Sequence, residues 1–365
     1  MERSFKQIIT IPASPRNDPR DVLMIDDSHS RRRSGPLRAF GGAALFAVVF
    51  LIVGWSGYWY VAQHMALQEF HVQLEKEARL GRVWSCDSLA SGGYPLAVVL
   101  DCVGPKLRID EGLASQTWSA RRAFIHAQLY APKLVEIDLS GPGNLRTDTA
   151  QASLNWTTLQ ISARGLPERL ERLSVEGRGM TADADGISAN ADSLHFQLKR
   201  TASAPMAPYT LTAGLAGISS PVLARTVGPG SPALFTLLGA VTQLDAAGSG
   251  HWTERMEAWR AAGGRISIAA MSLTRDDFAV QGEGTIGLDT IHRPEGKLAV
   301  RLRNAGPLLL TLAESSGKLQ RNTIAGQLTA GILGRPGELK FDAVADNGAL
   351  SVGPLRRIVM LPPLY

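Results

Sequence analysis

The feature that most constrains this chain is an uncharged run of 24 residues, Ala39–Ala62, near the N-terminus. A helix of about 20 apolar residues is long enough to cross the hydrocarbon core of a bilayer. Aromatic side chains, which favour the bilayer interface, gather at the C-terminal end of the run, at Trp55, Tyr58, Trp59 and Tyr60. The sequence therefore predicts a transmembrane helix over residues 39–62.

Two other interpretations compete with a retained anchor. A helix that is apolar on every face can also be the buried helix of a soluble protein. A cleaved signal peptide would have an apolar region of about 7 to 15 residues that ends in small side chains. The run here is longer and ends in bulky aromatic residues, so we predict an uncleaved signal anchor.

The charges before the run predict its orientation. Residues 1–38 carry eight Lys or Arg and five acidic residues. The four arginines nearest to the run are Arg31, Arg32, Arg33 and Arg38. Positive charge keeps a short tail in the cytoplasm, so the residues after the run are expected on the other side of the inner membrane, in a bacterial periplasm. Topology accounts for the arginines, and no nucleic-acid partner is predicted.

The tail itself has no hydrophobic periodicity, and we predict that residues 1–38 are disordered. Either Met1 or Met24 could be the true start, because every residue that the topology needs lies after Met24.

The chain has two cysteines, Cys86 and Cys102, 16 positions apart. Between them lies a turn made of Gly92, Gly93, Tyr94 and Pro95. In an oxidising compartment two cysteines at this spacing predict a disulfide. A redox-active pair usually has C-x-x-C spacing, and a zinc site needs more ligands than two cysteines.

Hydrophobic periodicity divides the rest of the chain. Residues 63–81 have helical spacing and predict a membrane-proximal helix. Beyond Cys102, short segments of alternating polarity are separated by Gly, Pro or Asn, which is typical of half-buried strands. Helical patterns recur over residues 253–264 and, more briefly, over 307–319.

This pattern predicts an α+β fold that is mainly antiparallel β, with an N-terminal transmembrane helix and a β-rich periplasmic domain with a few short helices. Pro and Ala cluster around residues 201–208. That cluster suggests a boundary between two β-rich subdomains, residues 82–204 and 205–365.

The sequence contains no recognisable catalytic motif. Nucleophile elbows, Walker loops and HExxH are missing, and the Gly-rich segment 282–287 lies between two predicted strands instead of opening a helix. The seven histidines are scattered; His64 and His71 could share a helix face and bind a metal, but polar interfacial residues are the simpler interpretation. We therefore expect no enzyme activity, no cofactor and no metal. A hydrolase would need distant His and Asp residues brought together by the fold.

Four stretches resemble the bacterial DUF2125 family. They are C-x5-GGYP-x6-C from Cys86 to Cys102, W-x-x-x-GG from Trp259 to Gly264, GEGTIGLDTIHRPEGKL over 282–298 and GALSVGPLRRIVMLPPLY over 348–365. The third stretch is also similar to the β segments of AsmA-like envelope proteins and of the N subunit of type II secretion systems. The resemblance implies a β-rich, membrane-anchored envelope protein and a role in lipid handling or assembly, without naming an activity.

Alternating polarity shows that one sheet face is buried but does not show what buries it. A solid protein core is one possibility, and a groove for acyl chains is the other. We expect a single-pass inner-membrane protein whose periplasmic domain binds lipid or another amphiphile in envelope maintenance. The alternative is a non-enzymatic scaffold or assembly factor that binds another envelope protein through an exposed sheet edge.

The disulfide can be tested by substitution. We expect Cys86→Ser, Cys102→Ser and the double variant to lower the free energy of unfolding by similar amounts, about 3 kcal/mol, because each removes the same cross-link. Denaturant unfolding with and without reductant measures this. Harmless single substitutions, together with an unfolding curve that reductant does not shift, would contradict the prediction.

Overall fold

The computed structural model describes residues 36–110, 115–166, 169–204, 206–248, 250–304, 306, 337–353 and 355–365. Arg31, Arg32 and Arg33, and the short helix predicted over 307–319, lie outside these residues. The chain divides into two compact units, Met1–Val53 and Gly54–Tyr365.

The first element is helix α1, Pro36–Arg79, which contains Arg38. It continues without interruption through the predicted span and the predicted membrane-proximal segment. Among the described residues it is the one helix long and apolar enough to cross a membrane, with a mean hydropathy of 1.8 in its best window. Leu67, Phe70 and Leu74 are half-buried on α1, at the helical spacing that the sequence predicts.

In the part of the chain that the structure describes, eighteen strands form one sheet in which every pairing is antiparallel. They are β1 Arg82–Ser85, β2 Ser88–Gly92, β3 Ala97–Val103, β4 Lys106–Ile109, β5 Gln116–Gln128, β6 Ala131–Thr147, β7 Gln151–Asn155, β8 Thr158–Arg164, β9 Arg172–Ala184, β10 Ile187–Arg200, β11 Tyr209–Ile218, β12 Ala233–Val241, β13 Ile266–Arg275, β14 Phe278–Leu288, β15 Pro294–Arg303, β16 Glu338–Asp346, β17 Ala349–Val352 and β18 Leu355–Met360. This confirms the prediction of a mainly antiparallel β fold with few helices.

In the first part of the sheet, two short strands together occupy the place of one long strand. From β8 onward the strands form a meander. β3 and β4 pair with opposite ends of β5, and β2 and β1 pair with β3 and β4. β7 and β8 likewise lie end to end between β6 and β9, each paired with a different part of these two strands. From β8 to β18 each strand pairs with the next one in the chain, as consecutive strands commonly do.

The predicted boundary near residue 204 is not a break in the sheet. β10 and β11 flank it and pair directly over eight residues, from Arg200↔Tyr209 to Ser193↔Ala216. The Pro- and Ala-rich segment is therefore a loop between neighbouring strands, and the two predicted subdomains share one sheet.

Among the described residues, two short helices and a 3-10 turn interrupt the strands. Helix α2, Pro221–Val227, starts after Ser220, whose Oγ accepts a hydrogen bond from the Leu223 amide. The 3-10 turn is Leu244–Ala247, and helix α3 is Trp252–Ala261.

Side-chain packing in and just after α3 explains the tryptophan and the last glycine of the W-x-x-x-GG stretch. The Trp259 side chain is buried, and its indole Nε1 donates a hydrogen bond to the Thr242 carbonyl at 2.8 Å. A Cβ on Gly264 would overlap that indole ring. A glycine at this position therefore lets the ring lie against the chain.

Candidate functional site

One face of the sheet is apolar from β3 to β16. Directly opposed residues on neighbouring strands point to the same side, so the register defines rows that run across the strands. The central row is Leu100, Ile125, Ile137, Ile161, Val175, Phe196, Ala213, Leu237, Met271, Gly282, Val300 and Phe341.

Two more rows flank the central one, two residues along each strand, or three where β13 has a bulge between Ile268 and Met271. One is Val98, Ala127, Val135, Ala163, Leu173, Leu198, Leu211, Gly239, Ile268, Gly284, Leu298, Ala343 and Val352. The other is Cys102, Ala123, Leu139, Leu159, Gly177, Leu194, Leu215, Phe235, Leu273, Val280, Leu302 and Leu339. We call these three rows the apolar face; none of its members is charged or carries a polar side chain other than the disulfide cysteine.

The opposite side of the same strands is polar. Its central row is Asp101, Phe124, Asp138, Gln160, Glu176, His195, Gly214, Thr236, Ser272, Gln281, Arg301 and Lys340. The Arg122 guanidinium lies over the ring of Phe124, 4.6 Å from its centroid, which shields the one large apolar side chain of this row. The sheet is therefore amphipathic across twelve strands.

The apolar face is only half-buried over most of its length in the part of the chain that the structure describes. Phe196, Leu237 and Met271 in the central row all keep a fraction of their surface exposed. A packed protein core would remove such side chains from solvent almost completely. The described residues thus form a partly exposed apolar surface and not a solid core.

The two short helices lie at opposite ends of the strands. At one end, Val227 of α2 packs against a cluster centred on Phe278 and Leu302. At the other end, the 3-10 turn and α3 lie over Ile266 and Ile286, and together they line an apolar pocket of ≈ 340 Å³. The apolar face therefore runs across the strands between two flanking helices.

A buried polar network fixes the end of the face that the 3-10 turn covers. The Arg200 guanidinium contacts the Asp245 carboxylate at 2.6 Å, and the Tyr209 hydroxyl lies 2.8 Å from the same carboxylate. Arg200 and Tyr209 are 8% and 1% exposed. Burial, reinforced by the hydrogen bond to Asp245, raises the pKa of Tyr209 to about 12. The network ties the 3-10 turn to the ends of β10 and β11.

The predicted turn between the cysteines is held by α1. Four side-chain contacts join the helix to the β2–β3 hairpin: Trp55 Nε1 to the Pro95 carbonyl (2.8 Å), Ser56 Oγ to the Tyr94 hydroxyl (2.9 Å), Trp59 Nε1 to the Ala97 carbonyl (2.8 Å) and Gln63 Nε2 to Ser91 Oγ (2.6 Å). The Trp59 and Tyr94 rings also meet edge to face at 5.3 Å. Gly92, Gly93, Tyr94 and Pro95 thus form a hairpin tip docked on the helix.

The predicted disulfide is present between Cys86 and Cys102, whose Cα atoms are 5.5 Å apart. Cys102 belongs to the apolar face and is buried. Cys86 lies in the turn between β1 and β2. The bond therefore ties the first strands of the sheet together beside the hairpin that α1 holds.

A second polar cluster fastens the C-terminal residues. The Arg260 guanidinium bonds the Glu257 carboxylate and lowers its pKa to about 2, with a smaller contribution from Tyr365. The His292 ring stacks on the Tyr365 ring at 4.2 Å and lies 3.2 Å from the Glu257 carboxylate. The last residues of the chain are thereby fixed against α3 and the β14–β15 connection.

Sequence reasoning missed the carboxylate neighbours of three histidines. His126 lies 3.3 Å from Asp138, His195 lies 3.8 Å from Glu176, and His292 contacts Glu257. Two of these pairs lie across neighbouring strands, so the strand register would have been needed to find them. Within the described ranges, no group of three or more His, Cys, Asp or Glu is placed to hold a metal ion, and this includes His64 and His71.

Comparison with known proteins gives one family. The family model described as "Uncharacterized protein conserved in bacteria (DUF2125)" matches residues 59–362. No curated protein and no solved structure matches the chain. The similarity to AsmA-like proteins stays a prediction.

The polar network can be tested at Asp245. We expect Asp245→Asn to lower the free energy of unfolding by about 3 kcal/mol or more, because it leaves the buried Arg200 guanidinium without its counter-charge. The matched control is Asp342→Asn, whose partner Lys297 and own side chain are both about half exposed; it should cost less than about 1 kcal/mol. Denaturant unfolding of both variants measures these losses. Equal losses in the free energy of unfolding would show that the network does not hold the end of the apolar face that the 3-10 turn covers.

Proposed function

The chain belongs to the DUF2125 family, and we propose that it is a non-enzymatic, single-pass membrane protein that binds lipid or another amphiphile along the apolar face. Its place would be the inner membrane, with the N-terminus in the cytoplasm and the β-rich domain in the periplasm, in the service of envelope maintenance.

The observation that carries this proposal is the continuity of the three apolar rows combined with their partial exposure. Apolar surface in contact with water costs about 25 cal/mol per Å², and large exposed apolar patches on proteins usually mark binding sites. An acyl chain is flexible, apolar and long, so it can follow a row across many strands. The polar opposite face keeps the other side of the sheet soluble.

The hairpin tip supports a route from the bilayer to this face. Trp55 and Trp59, which hold the tip, belong to the uncharged run that is long enough to span a membrane. Tyr94 in the tip and Leu96 directly after it remain 52% and 59% exposed, a suitable arrangement for side chains that enter the interfacial layer. β3, the first strand of the apolar face, begins immediately after the tip, so a lipid leaving the bilayer would meet this strand first.

A second candidate function is a scaffold or assembly factor. Among the described strands, β18 pairs only with β17, and it exposes Val359 and Met360. An edge strand of this kind can accept a strand of another envelope protein.

Site-specific cross-linking distinguishes the two candidates. A photoreactive phenylalanine analogue is placed in the full chain at Phe196 on the apolar face, or at the adjacent His195 on the polar face, and irradiated in the native membrane. We expect lipid adducts at position 196 and far fewer at position 195, because successive residues of a strand point to opposite sides. Mass spectrometry of the purified protein identifies the adducts.

The comparison of positions 196 and 195 requires that both variants unfold at the same temperature as the unsubstituted chain. Protein adducts at position 196 would favour the scaffold. Equal lipid labelling at both positions, or no lipid adduct at position 196, would contradict lipid binding on the apolar face.

The proposed topology has its own test. Alkaline phosphatase needs disulfides and is active only in an oxidising compartment. We expect a fusion after Tyr365 to be active and a fusion after Arg38 to be inactive in intact cells, with expression matched by immunoblot. The reverse pattern would place the β-rich domain in the cytoplasm.

A further inference from the structure

Three basic residues face one another on adjacent strands of the polar side. Arg164 at the end of β8 is directly opposite Arg172 of β9, and Arg172 is directly opposite Lys199 of β10. Arg169, in the β8–β9 connection, joins them around a cleft of ≈ 690 Å³. We call Arg164, Arg169, Arg172 and Lys199 the basic row.

No acidic partner neutralises the basic row within the described part of the chain. All four side chains are exposed, and none of them takes part in a salt bridge or side-chain hydrogen bond there. Glu171 is the one described acidic residue that lines the cleft, and it too makes no ion pair with these residues. Like charges directly opposite each other on a sheet are destabilising, so this arrangement costs stability unless an anion occupies the cleft.

The wall of the cleft is fixed before any ligand arrives. Arg200 donates to the carbonyl oxygens of Ala202 (2.9 Å) and Ala204 (2.7 Å) and is itself locked by Asp245. This holds the segment that carries Thr201 and Ser203, which also line the cleft. A pre-formed wall lowers the entropic cost of binding.

We propose that the basic row is an anion site that takes a phosphate group. Arginine guanidinium groups bind phosphate oxygens with paired, charge-assisted hydrogen bonds, and three cations at cross-strand distance suit a tetrahedral dianion. The phosphate can belong to the headgroup of a phospholipid or to a small soluble phosphate. The site lies on the polar side of the sheet and does not depend on lipid binding by the apolar face.

The test uses the full chain in a neutral maltoside detergent. Two probes are titrated at fixed ionic strength, inorganic phosphate and dioctanoyl phosphatidic acid, with dioctanoylglycerol as the uncharged counterpart of the lipid. The site variant is Arg172→Gln with Lys199→Gln. The control is Arg301→Gln with Lys340→Gln, a pair that is also directly opposed on the polar side but has carboxylate neighbours in Glu283 and Glu338.

We expect saturable binding of at least one phosphate probe, weakened about tenfold or more in the site variant and unchanged in the control. Tight binding of phosphatidic acid alone identifies a lipid headgroup, whereas equal binding of inorganic phosphate identifies a soluble ligand. No saturable binding, or equal loss in both double variants, overturns the proposal. Because the site variant relieves like-charge repulsion, its unfolding temperature should not fall, and misfolding is checked in the same samples.

Discussion

The apolar face depends on the antiparallel register, which stays in phase across twelve strands. A slip of one residue at any pairing would turn every later strand over and mix the two faces. The irregular positions respect this phase. β13 carries one extra residue between Ile268 and Met271, and its register with both neighbours shifts at that same place, so Leu237 of β12 and Gly282 of β14 remain in one row.

The separation of the two faces divides the molecule into regions with different chemistry. The apolar face is the surface proposed for an amphiphile, while the polar side carries the His126–Asp138 and His195–Glu176 pairs and the basic row. The network of Arg200, Tyr209 and Asp245 links the regions, because it closes one end of the apolar face and also fixes the wall of the cleft beside the basic row. A single buried ion pair thus supports two surfaces.

Much of the strand layout could be predicted from the sequence. Alternating polarity predicted that the residues beyond Cys102 form short, half-buried strands, because one side of each strand faces away from water and the other is solvated. The boundary predicted near residue 204 falls in a loop between the paired strands β10 and β11, because Pro and Ala mark a turn as readily as a linker, and local composition cannot tell which strands pair across it. The histidine neighbours were missed for the same reason, since each partner lies far along the chain.

The sequence by itself determined the uncharged helix, the disulfide-forming cysteines, the turn between them and the two-residue period of the strands. These features depend on residues close together in the chain, where side-chain polarity and backbone preference act directly. Only the tertiary structure decided that the alternating segments align into continuous apolar rows, that α1 holds the hairpin tip, and that Arg164, Arg172 and Lys199 stand side by side. Those arrangements depend on register between strands, which is set by the packing of the whole sheet and not by any one segment.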